Sequence, residues 1–283
     1  MKIAISTEST CDLTKEIIEK NDIKIIPYTI ILGDESILDG DGITEKIFSY
    51  VKKTGILPKT SAINEEDYRN HFTKILEDYD AIIHITLSSE ISSASSNAVK
   101  VASTMKNVYV IDSKSLSTGI ALLVLYAKKL ANAGVVPEKI VEKVTSRVPA
   151  VQASFVIDRL DYLYKGGRCN ALALFGANVF KIHPQIVLVN GKMKPNKKYR
   201  GKMEKVVESY CTDTLKAFCN PDKSIVFITH TTASPEMVEI AREKLKQAGF
   251  ENIIETVAGG TITSHCGENT LGILYFNDGG VLD

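Results

Sequence analysis

Six serines lie between positions 88 and 96, in the segment TLSSEISSASSN (residues 86–97). The apolar run at 81–85 predicts a buried strand, and residues 98–105 predict a helix. Where a strand gives way to a helix, unpaired backbone N–H groups and the helix dipole favour an anion, and open α/β sheets hold ligands at the carboxyl ends of their strands. Helix capping is the alternative, but a cap needs only one or two hydroxyls. The segment therefore predicts a binding site for an anionic group.

Three further loops combine hydroxyls, glycines and a cationic or titratable side chain: Lys59-Thr60-Ser61, Gly166-Gly167-Arg168, and the polar stretch 259–267, which contains His265. Paired glycines let a backbone approach a ligand closely. Arginine offers a planar fork for a carboxylate or phosphate, and histidine can donate a hydrogen bond or carry a proton. A helix C-cap at the glycines and an incidental histidine remain the structural alternatives. The shared composition of the loops favours a common binding role.

Familiar catalytic motifs are missing from the sequence. It has no G-x-S-x-G elbow, no P-loop, no H-E-x-x-H and no G-x-G-x-x-G after the first strand, which argues against common serine hydrolases, P-loop NTPases, zincins and dinucleotide enzymes. The five cysteines are odd in number and include no C-x-x-C. A disulfide framework and a metal site are therefore not expected.

The bulk composition narrows the class of protein further. The 283 residues are 44% apolar and carry 34 basic and 34 acidic side chains. The balanced charge predicts no nucleic-acid partner and no polybasic membrane surface. The start of the chain has no long apolar segment, and the longest apolar run, 120–127, is too short to cross a bilayer. We therefore expect a cytoplasmic protein without stable membrane insertion.

The predicted elements indicate an α/β fold with two α/β domains, 1–150 and 151–283. Strands at 2–6, 23–32, 81–87 and 107–111 alternate with helices, which predicts parallel pairing. After residue 150 the pattern of predicted helices and strands changes. Asn190-Gly191 predicts a hairpin between the strands 184–189 and 192–194. A helix is expected at 170–180 and a glycine-rich loop at 258–267.

Taken together, these residues resemble the DegV family over essentially the full length of the chain. The resemblance rests on ordered motifs: IAISTESTCDL at 3–13, Ile26-Pro27, Lys59-Thr60-Ser61, Leu87-Ser88-Ser89 with Ile91-Ser92, Ile111-Asp112-Ser113, Ser117-Thr118-Gly119, Leu160-Asp161-Tyr162-Leu163 with Gly166-Gly167-Arg168, and His265 with Gly267. Several motifs in order make the match more specific than any one of them alone.

The resemblance implies two α/β domains with a ligand site between them. It implies a long-chain, palmitate-like fatty acid in an apolar tunnel, with no cofactor and no metal. The carboxylate would be bound by Thr60, Ser61, Ser92 and Ser93. Arg168 and His265 would hold the anion of an acyl phosphate. That product would be made by a separate fatty acid kinase, so the chain itself would be a lipid-binding subunit and not an enzyme.

Two other functions remain open at the level of sequence. One is an acyl hydrolase or transferase with Ser92 as nucleophile and His265 as base, which requires the two side chains within hydrogen-bond reach and an orienting acid. The other is a binder of a small phosphate or sugar on a related scaffold. The basic stretch 192–205 could dock an acidic partner or could simply be a solvated surface.

Overall fold

A computed structural model describes residues 1–40, 42–169 and 182–280 of the chain. The strands in these ranges are β1 (Ile3–Glu8), β2 (Ile23–Ile26), β3 (Thr29–Leu32), β4 (Glu35–Leu38), β5 (Lys59–Ser61), β6 (Ala81–Thr86), β7 (Val108–Asp112), β8 (Val151–Val156), β9 (His183–Val189), β10 (Lys192–Tyr199), β11 (Val226–His230), β12 (Ile253–Val257) and β13 (Leu271–Phe276). The α-helices are α1 (Lys15–Asn21), α2 (Ile43–Thr54), α3 (Glu65–Leu76), α4 (Ala94–Ala102), α5 (Thr118–Asn132), α6 (Pro137–Arg147), α7 (Leu160–Lys165), α8 (Met203–Ala217), α9 (Pro235–Gln247) and α10 (Gly260–Cys266). The helix expected at 170–180 lies outside the described residues.

The first sheet has the order β2-β1-β6-β7, and all its pairs are parallel. Every residue of β1 and β6 is buried, as expected for strands rich in β-branched residues that are covered on both faces. The parallel pairing predicted from alternating strands and helices is confirmed. Because β1 and β6 run side by side in the same direction, the segment after Glu8 and the serine-rich segment after Thr86 begin at the same sheet edge.

The predicted strand 23–32 was wrong as a single element. It divides at Pro27, which has no N–H to donate to a ladder, so that β2 pairs with β1 while β3 joins β4 and β5 in a separate antiparallel sheet. Sequence analysis placed a loop at 59–61, where β5 lies, and predicted no strand at 35–38, where β4 lies. Both strands are short and mostly exposed, so they lack the apolar alternation that marks a strand.

The larger sheet has the order β10-β9-β8-β13-β11-β12 and mixes parallel and antiparallel pairs. The predicted hairpin is confirmed: β9 and β10 are joined by Asn190 and Gly191, with φ of 51° and 81°. Positive φ at both positions is what a tight type I′ turn requires. Much of the basic stretch 192–205 is therefore the strand β10.

The polar stretch 258–267 was predicted as a loop and is instead largely the helix α10. Its amino end is held by side chains from the other half of the chain: the Asp39 carboxylate accepts the N–H groups of Gly260 at 2.7 Å and Thr261 at 3.0 Å, and Asp12 accepts that of Gly259 at 2.8 Å. Glycine, threonine and serine are weak helix formers, so the local pattern hides this helix. Remote carboxylates satisfy its first N–H groups.

A buried core joins the two larger sheets. Helix α5 packs against β1 of the first sheet and β13 of the second, and one core cluster contains both Ile5 and Phe155. The first sheet uses only strands before residue 150 and the larger sheet only strands after it. The division into domains 1–150 and 151–283 itself stays a prediction. Within the described ranges, no helix has both the length and the apolar character that a membrane crossing needs.

We expect Asp39→Ala to lower the free energy of unfolding by about 1–3 kcal/mol, because it leaves two buried backbone donors without an acceptor. Asp39 is only 7% exposed and also accepts a hydrogen bond from Ser9. Urea denaturation followed by circular dichroism measures the change. Asp34→Ala, at an exposed position on the turn before β4, is the matched control and should shift stability by less than about 0.5 kcal/mol. Equal losses in the two variants would contradict the capping role.

Candidate functional site

An apolar cavity lies where α10, β5, α7 and the serine-rich segment meet. Its apolar wall includes Leu87, Leu116, Leu163, Met193 and Ile262. Its polar members are Tyr28, Thr60, Ser92, Arg168, Thr261 and His265. Thus one cavity is lined by four residues that the sequence analysis selected and that are far apart along the chain: Thr60, Ser92, Arg168 and His265.

A second cavity lies next to the first, on the side of the larger sheet. It shares Leu116, Ile262 and Cys266 with the first cavity, and its wall adds Phe155 and Leu274 from the larger sheet. The two cavities thus lie next to each other, and the walls of both are mostly apolar. We call the two cavities together the apolar slot.

On the opposite side, the polar end of the slot meets an outer cleft. Thr60, Arg168 and His265 line both the slot and this cleft, whose wall also carries Lys59 and Lys165. These three shared residues therefore separate an apolar interior from a basic surface. An anionic head group held there would face the basic cleft while an attached chain extended inward.

Thr60 and His265 form a hydrogen-bonded pair, with 2.8 Å between Thr60 Oγ1 and His265 Nε2. Burial, followed by the positive charge of Arg168, lowers the pKa of His265 to about 4. The imidazole is therefore neutral at neutral pH. With its hydrogen on Nε2, it donates to Thr60 and leaves the threonine hydrogen for a ligand.

The two glycines before Arg168 have different structural roles. A Cβ on Gly166 would lie 2.5 Å from His265 Nδ1, so only glycine lets the imidazole pack here. Gly167 follows the helix end with φ of +72°, the left-handed conformation usual after a helix. Arg168 donates from Nη1 to the Gly166 carbonyl at 2.6 Å and is otherwise exposed. The C-cap alternative thus holds for Gly167, while Gly166 is required by the site.

Ser92 is the hydroxyl of the serine-rich segment that faces the slot. Its Oγ accepts the O–H of Tyr28 at 3.1 Å and the N–H of Ala94, the first residue of α4, at 3.2 Å. These two bonds occupy both lone pairs of the hydroxyl oxygen. Ser92 therefore accepts the first backbone N–H of α4 and still has its own hydrogen to give to a ligand. The capping and binding interpretations of the segment apply to the same atom.

The other predicted carboxylate ligands lie apart from the slot. Ser61 follows Thr60 on β5, where neighbouring side chains point to opposite faces, and it is exposed. Ser93 is the N-cap residue of α4, yet its side chain makes no capping bond and is exposed. Ser88 instead donates to the carbonyl of Gly191 at 2.9 Å, tying the segment to the β9–β10 hairpin.

Sequence analysis missed three polar residues of this region. Thr261 lines the slot with a buried hydroxyl that has no hydrogen-bond partner among the described residues. Tyr28 bonds to Ser92, and Glu8 is fully buried at the end of β1. The one sequence feature that could have indicated a buried polar residue is Glu8, an acid that directly follows the predicted strand 2–6 and Thr7. In the described ranges, no group of three or more histidine, cysteine or acidic side chains could hold a metal ion.

Comparison with known proteins places this chain in a family. The family model described as "Uncharacterised protein, DegV family" matches residues 2–278. A relative from Thermotoga maritima named "Fatty acid-binding protein" is 30% identical over 282 residues, which cover 96% of each chain. The crystal structure of a DegV lipid-binding protein from the same organism has a TM-score of 0.87 at 29% identity, with 98% of each chain covered. That of DegV from Bacillus subtilis, a fatty acid binding protein, has a TM-score of 0.84 at 26% identity, covering 98% of this chain and 99% of its own.

The family model spans nearly the whole sequence, and the fold agrees with solved DegV structures along 98% of the chain. The apolar slot and its polar end therefore belong to a protein of the DegV family.

Proposed function

We propose that this protein binds a long-chain fatty acid. The tail lies in the apolar slot, and the carboxylate accepts hydrogen bonds from Thr60 and Ser92. The observation that carries the proposal is an apolar slot that ends at two hydroxyls. Ser92 has a hydrogen left to donate, and Thr60 has one when the His265 hydrogen is on Nε2. Relatives at 30% and 26% identity are described as fatty acid-binding proteins, which supports the same ligand class here.

The energetics suit a lipid carrier. A palmitate-like tail of about fifteen methylenes, at about 0.8 kcal/mol each, contributes roughly 12 kcal/mol before the entropy of binding is subtracted. The acid head must be hydrogen-bonded when it leaves water. Neutral hydroxyls satisfy it without a permanent counter-charge in the slot, so the bound acid can be released.

The outer cleft suggests how the acid head is used. A carboxylate at Thr60 would lie beside Arg168 and next to the cleft that carries Lys59 and Lys165. We propose that a separate fatty acid kinase reaches it from this side and transfers a phosphoryl group from ATP to a carboxylate oxygen, releasing ADP. Arg168 and the neutral His265 would then hold the acyl phosphate. On this proposal the chain presents the substrate and performs no chemistry itself.

The geometry disfavours a serine hydrolase. Ser92 is hydrogen-bonded to Tyr28, while His265 Nε2 is bonded to Thr60. The Nδ1 atom of His265 is buried and has no partner among the described residues. A catalytic triad requires a hydrogen bond from the nucleophile to the base and a second hydrogen bond from the base to an acid. Neither the Ser92–His265 bond nor an acid at His265 Nδ1 is present among the described residues. The mostly apolar walls of the slot likewise favour an acyl chain over a sugar or a small phosphate.

Native mass spectrometry of the purified protein tests the proposal directly. We expect a non-covalent adduct with the mass of a long-chain fatty acid, which is released by denaturation. A covalent acyl adduct on Ser92 would support the hydrolase instead. A small polar ligand, or no binding of added palmitate, would contradict fatty acid binding.

We expect Ser92→Ala to weaken palmitate binding about 10- to 100-fold, because a hydrogen bond to a charged group contributes about 1.5–3 kcal/mol. Displacement of a fluorescent fatty acid analogue measures the change. Ser93→Ala is the matched control: the neighbouring hydroxyl is exposed and lies outside the slot. Equal weakening in both variants would indicate a disturbed loop and not a lost ligand contact.

We expect Arg168→Gln to lower acyl phosphate formation by about tenfold or more, because it removes a charge-assisted partner of the phosphoryl group. Palmitate affinity should change less than about threefold, since tail burial supplies most of it. A fatty acid kinase with ATP supplies the reaction, and hydroxylamine traps the product.

The control for this prediction is Arg200→Gln, at an exposed arginine that follows β10 and lies outside the slot and the cleft. It should leave both acyl phosphate formation and palmitate affinity unchanged. Unaltered acyl phosphate formation in the Arg168 variant would remove that residue from the proposed role.

A further inference from the structure

Thr261 carries a hydroxyl on the wall of the apolar slot that has no hydrogen-bond partner among the described residues. The residue is 4% exposed, so bulk water does not supply a partner. A buried polar group that is left unpaired lowers the stability of the fold, because its hydration is lost and no hydrogen bond replaces it. The slot therefore contains a donor that folding alone does not use.

Thr263, two residues further along α10, shows the contrasting case on the same helix. Its Oγ1 donates to the carbonyl of Ala258 at 3.2 Å, and bonding back to an earlier carbonyl is a common arrangement for a threonine in a helix. Thr263 lies outside both cavities of the slot. Thr261 makes no such bond, although Asp39 holds its backbone N–H at 3.0 Å. The backbone of Thr261 is thus fixed while its hydroxyl is left free.

The contacts of α10 place Thr261 on the helix face that is turned towards Thr60. Ile30 on β3 pairs directly with Thr60 on β5, so these two side chains are neighbours on one face of the sheet. A Cβ on Gly260, the residue before Thr261, would lie 2.3 Å from Ile30 Cδ1. His265, four residues after Thr261 and therefore on the same helix face, is bonded to Thr60. The Thr261 hydroxyl thus lies in the cavity where the acid head is proposed to bind.

We propose that Thr261 is a third hydrogen-bond donor to the carboxylate of the bound fatty acid, alongside Thr60 and Ser92. Through this bond it sets the preference of the slot for an acid head group over an uncharged one. The inference rests on the proposed fatty acid binding and deepens it. It gives a use to the hydroxyl that the fold leaves unpaired.

The preference follows from a count of donors and acceptors. A carboxylate has two oxygens with about four lone-pair positions, whereas a single carbonyl oxygen has two. Thr60 and Ser92 are enough to fill the two positions of a carbonyl, and a third donor then has nothing to bind. A carboxylate can accept from all three hydroxyls at once.

Thr261 also differs from the other two hydroxyls in having no competing bond. Thr60 has a hydrogen for the ligand only when the His265 hydrogen is on Nε2. Ser92 takes part in two bonds within the protein, with Tyr28 and with the N–H of Ala94. The hydroxyl of Thr261 gives up no protein contact when it turns to the ligand. Its bond to the carboxylate is therefore gained in full.

The experiment compares two probes in the full chain after bound lipid has been removed. One probe is palmitate, and the other is 2-heptadecanone, in which a methyl group replaces one carboxylate oxygen. In Thr261→Val, which keeps the shape of the side chain and removes the hydroxyl, we expect palmitate affinity to fall about 10- to 100-fold, by the loss of one hydrogen bond to a charged group. The ketone affinity should change less than about threefold, because its oxygen has no position for a third donor. Displacement of a fluorescent fatty acid analogue measures both affinities.

Two further variants separate the hydroxyl from the shape and stability of α10. Thr261→Ser keeps the hydroxyl and should bind palmitate within about threefold of the wild type. Thr263→Val is the matched control, since its hydroxyl is used within the fold, and it should leave the ratio of the two affinities unchanged. Urea denaturation of the lipid-free proteins checks the premise. Thr261→Val loses an unpaired hydroxyl and should unfold at an equal or higher urea concentration than the wild type, and Thr263→Val at a lower one.

Three results would overturn the inference while leaving fatty acid binding intact. One is unchanged palmitate affinity in Thr261→Val. Another is an equal loss of affinity for palmitate and the ketone, which would make Thr261 a part of the apolar wall only. The third is a lipid-free Thr261→Val that unfolds at a lower urea concentration, since the hydroxyl would then have a partner within the fold. Failure of the wild-type protein to bind palmitate would instead contradict the proposed function.

Discussion

A carboxylate at the end of an apolar slot must be hydrogen-bonded, because an unpaired charge there would cancel much of the free energy gained by burying the tail. The polar end of this slot meets that constraint with hydroxyls whose other bonds are already made. Ser92 accepts from Tyr28 and Ala94, and Thr60 is paired with a neutral His265. Each hydroxyl is thus oriented before a ligand arrives, and little orienting entropy remains to be lost on binding.

The frame that holds these hydroxyls is built from distant parts of the chain. Asp12 and Asp39 bind the amino end of α10, which carries His265. Gly166, at the end of α7, leaves room for that imidazole. The same short helix forms one wall of the slot through Ile262. A change at these aspartates or at Gly166 would therefore reach the ligand through α10.

The sequence was informative where the chemistry is local. The alternation of strands and helices predicted the parallel sheet, and Asn190-Gly191 predicted the hairpin, because each depends on neighbouring residues. Helix α10 was missed because its capping acid Asp39 lies 221 positions away from Gly260. Strands β4 and β5 were missed because short, exposed strands have no apolar alternation.

In the candidate site, too, sequence motifs predicted what depends on neighbouring residues and missed what depends on distant contacts. The motifs identified Thr60, Ser92, Arg168 and His265, which the fold brings to one cavity. They could not separate Thr60 from Ser61 or Ser92 from Ser93, since that choice depends on which face of a strand or turn points inward. The bond between Tyr28 and Ser92, 64 positions apart, carries no local signal at all. The roles of all these residues in binding stay predictions.

The most direct measurement is a crystal structure of the protein with bound palmitate. The account predicts carboxylate oxygens within about 2.5–3.0 Å of Thr60 Oγ1 and Ser92 Oγ, with the tail running inward past Leu116 and Ile262. A ligand in the reverse orientation, with its acid head at the inner end beside His230 and Thr270, would contradict the account.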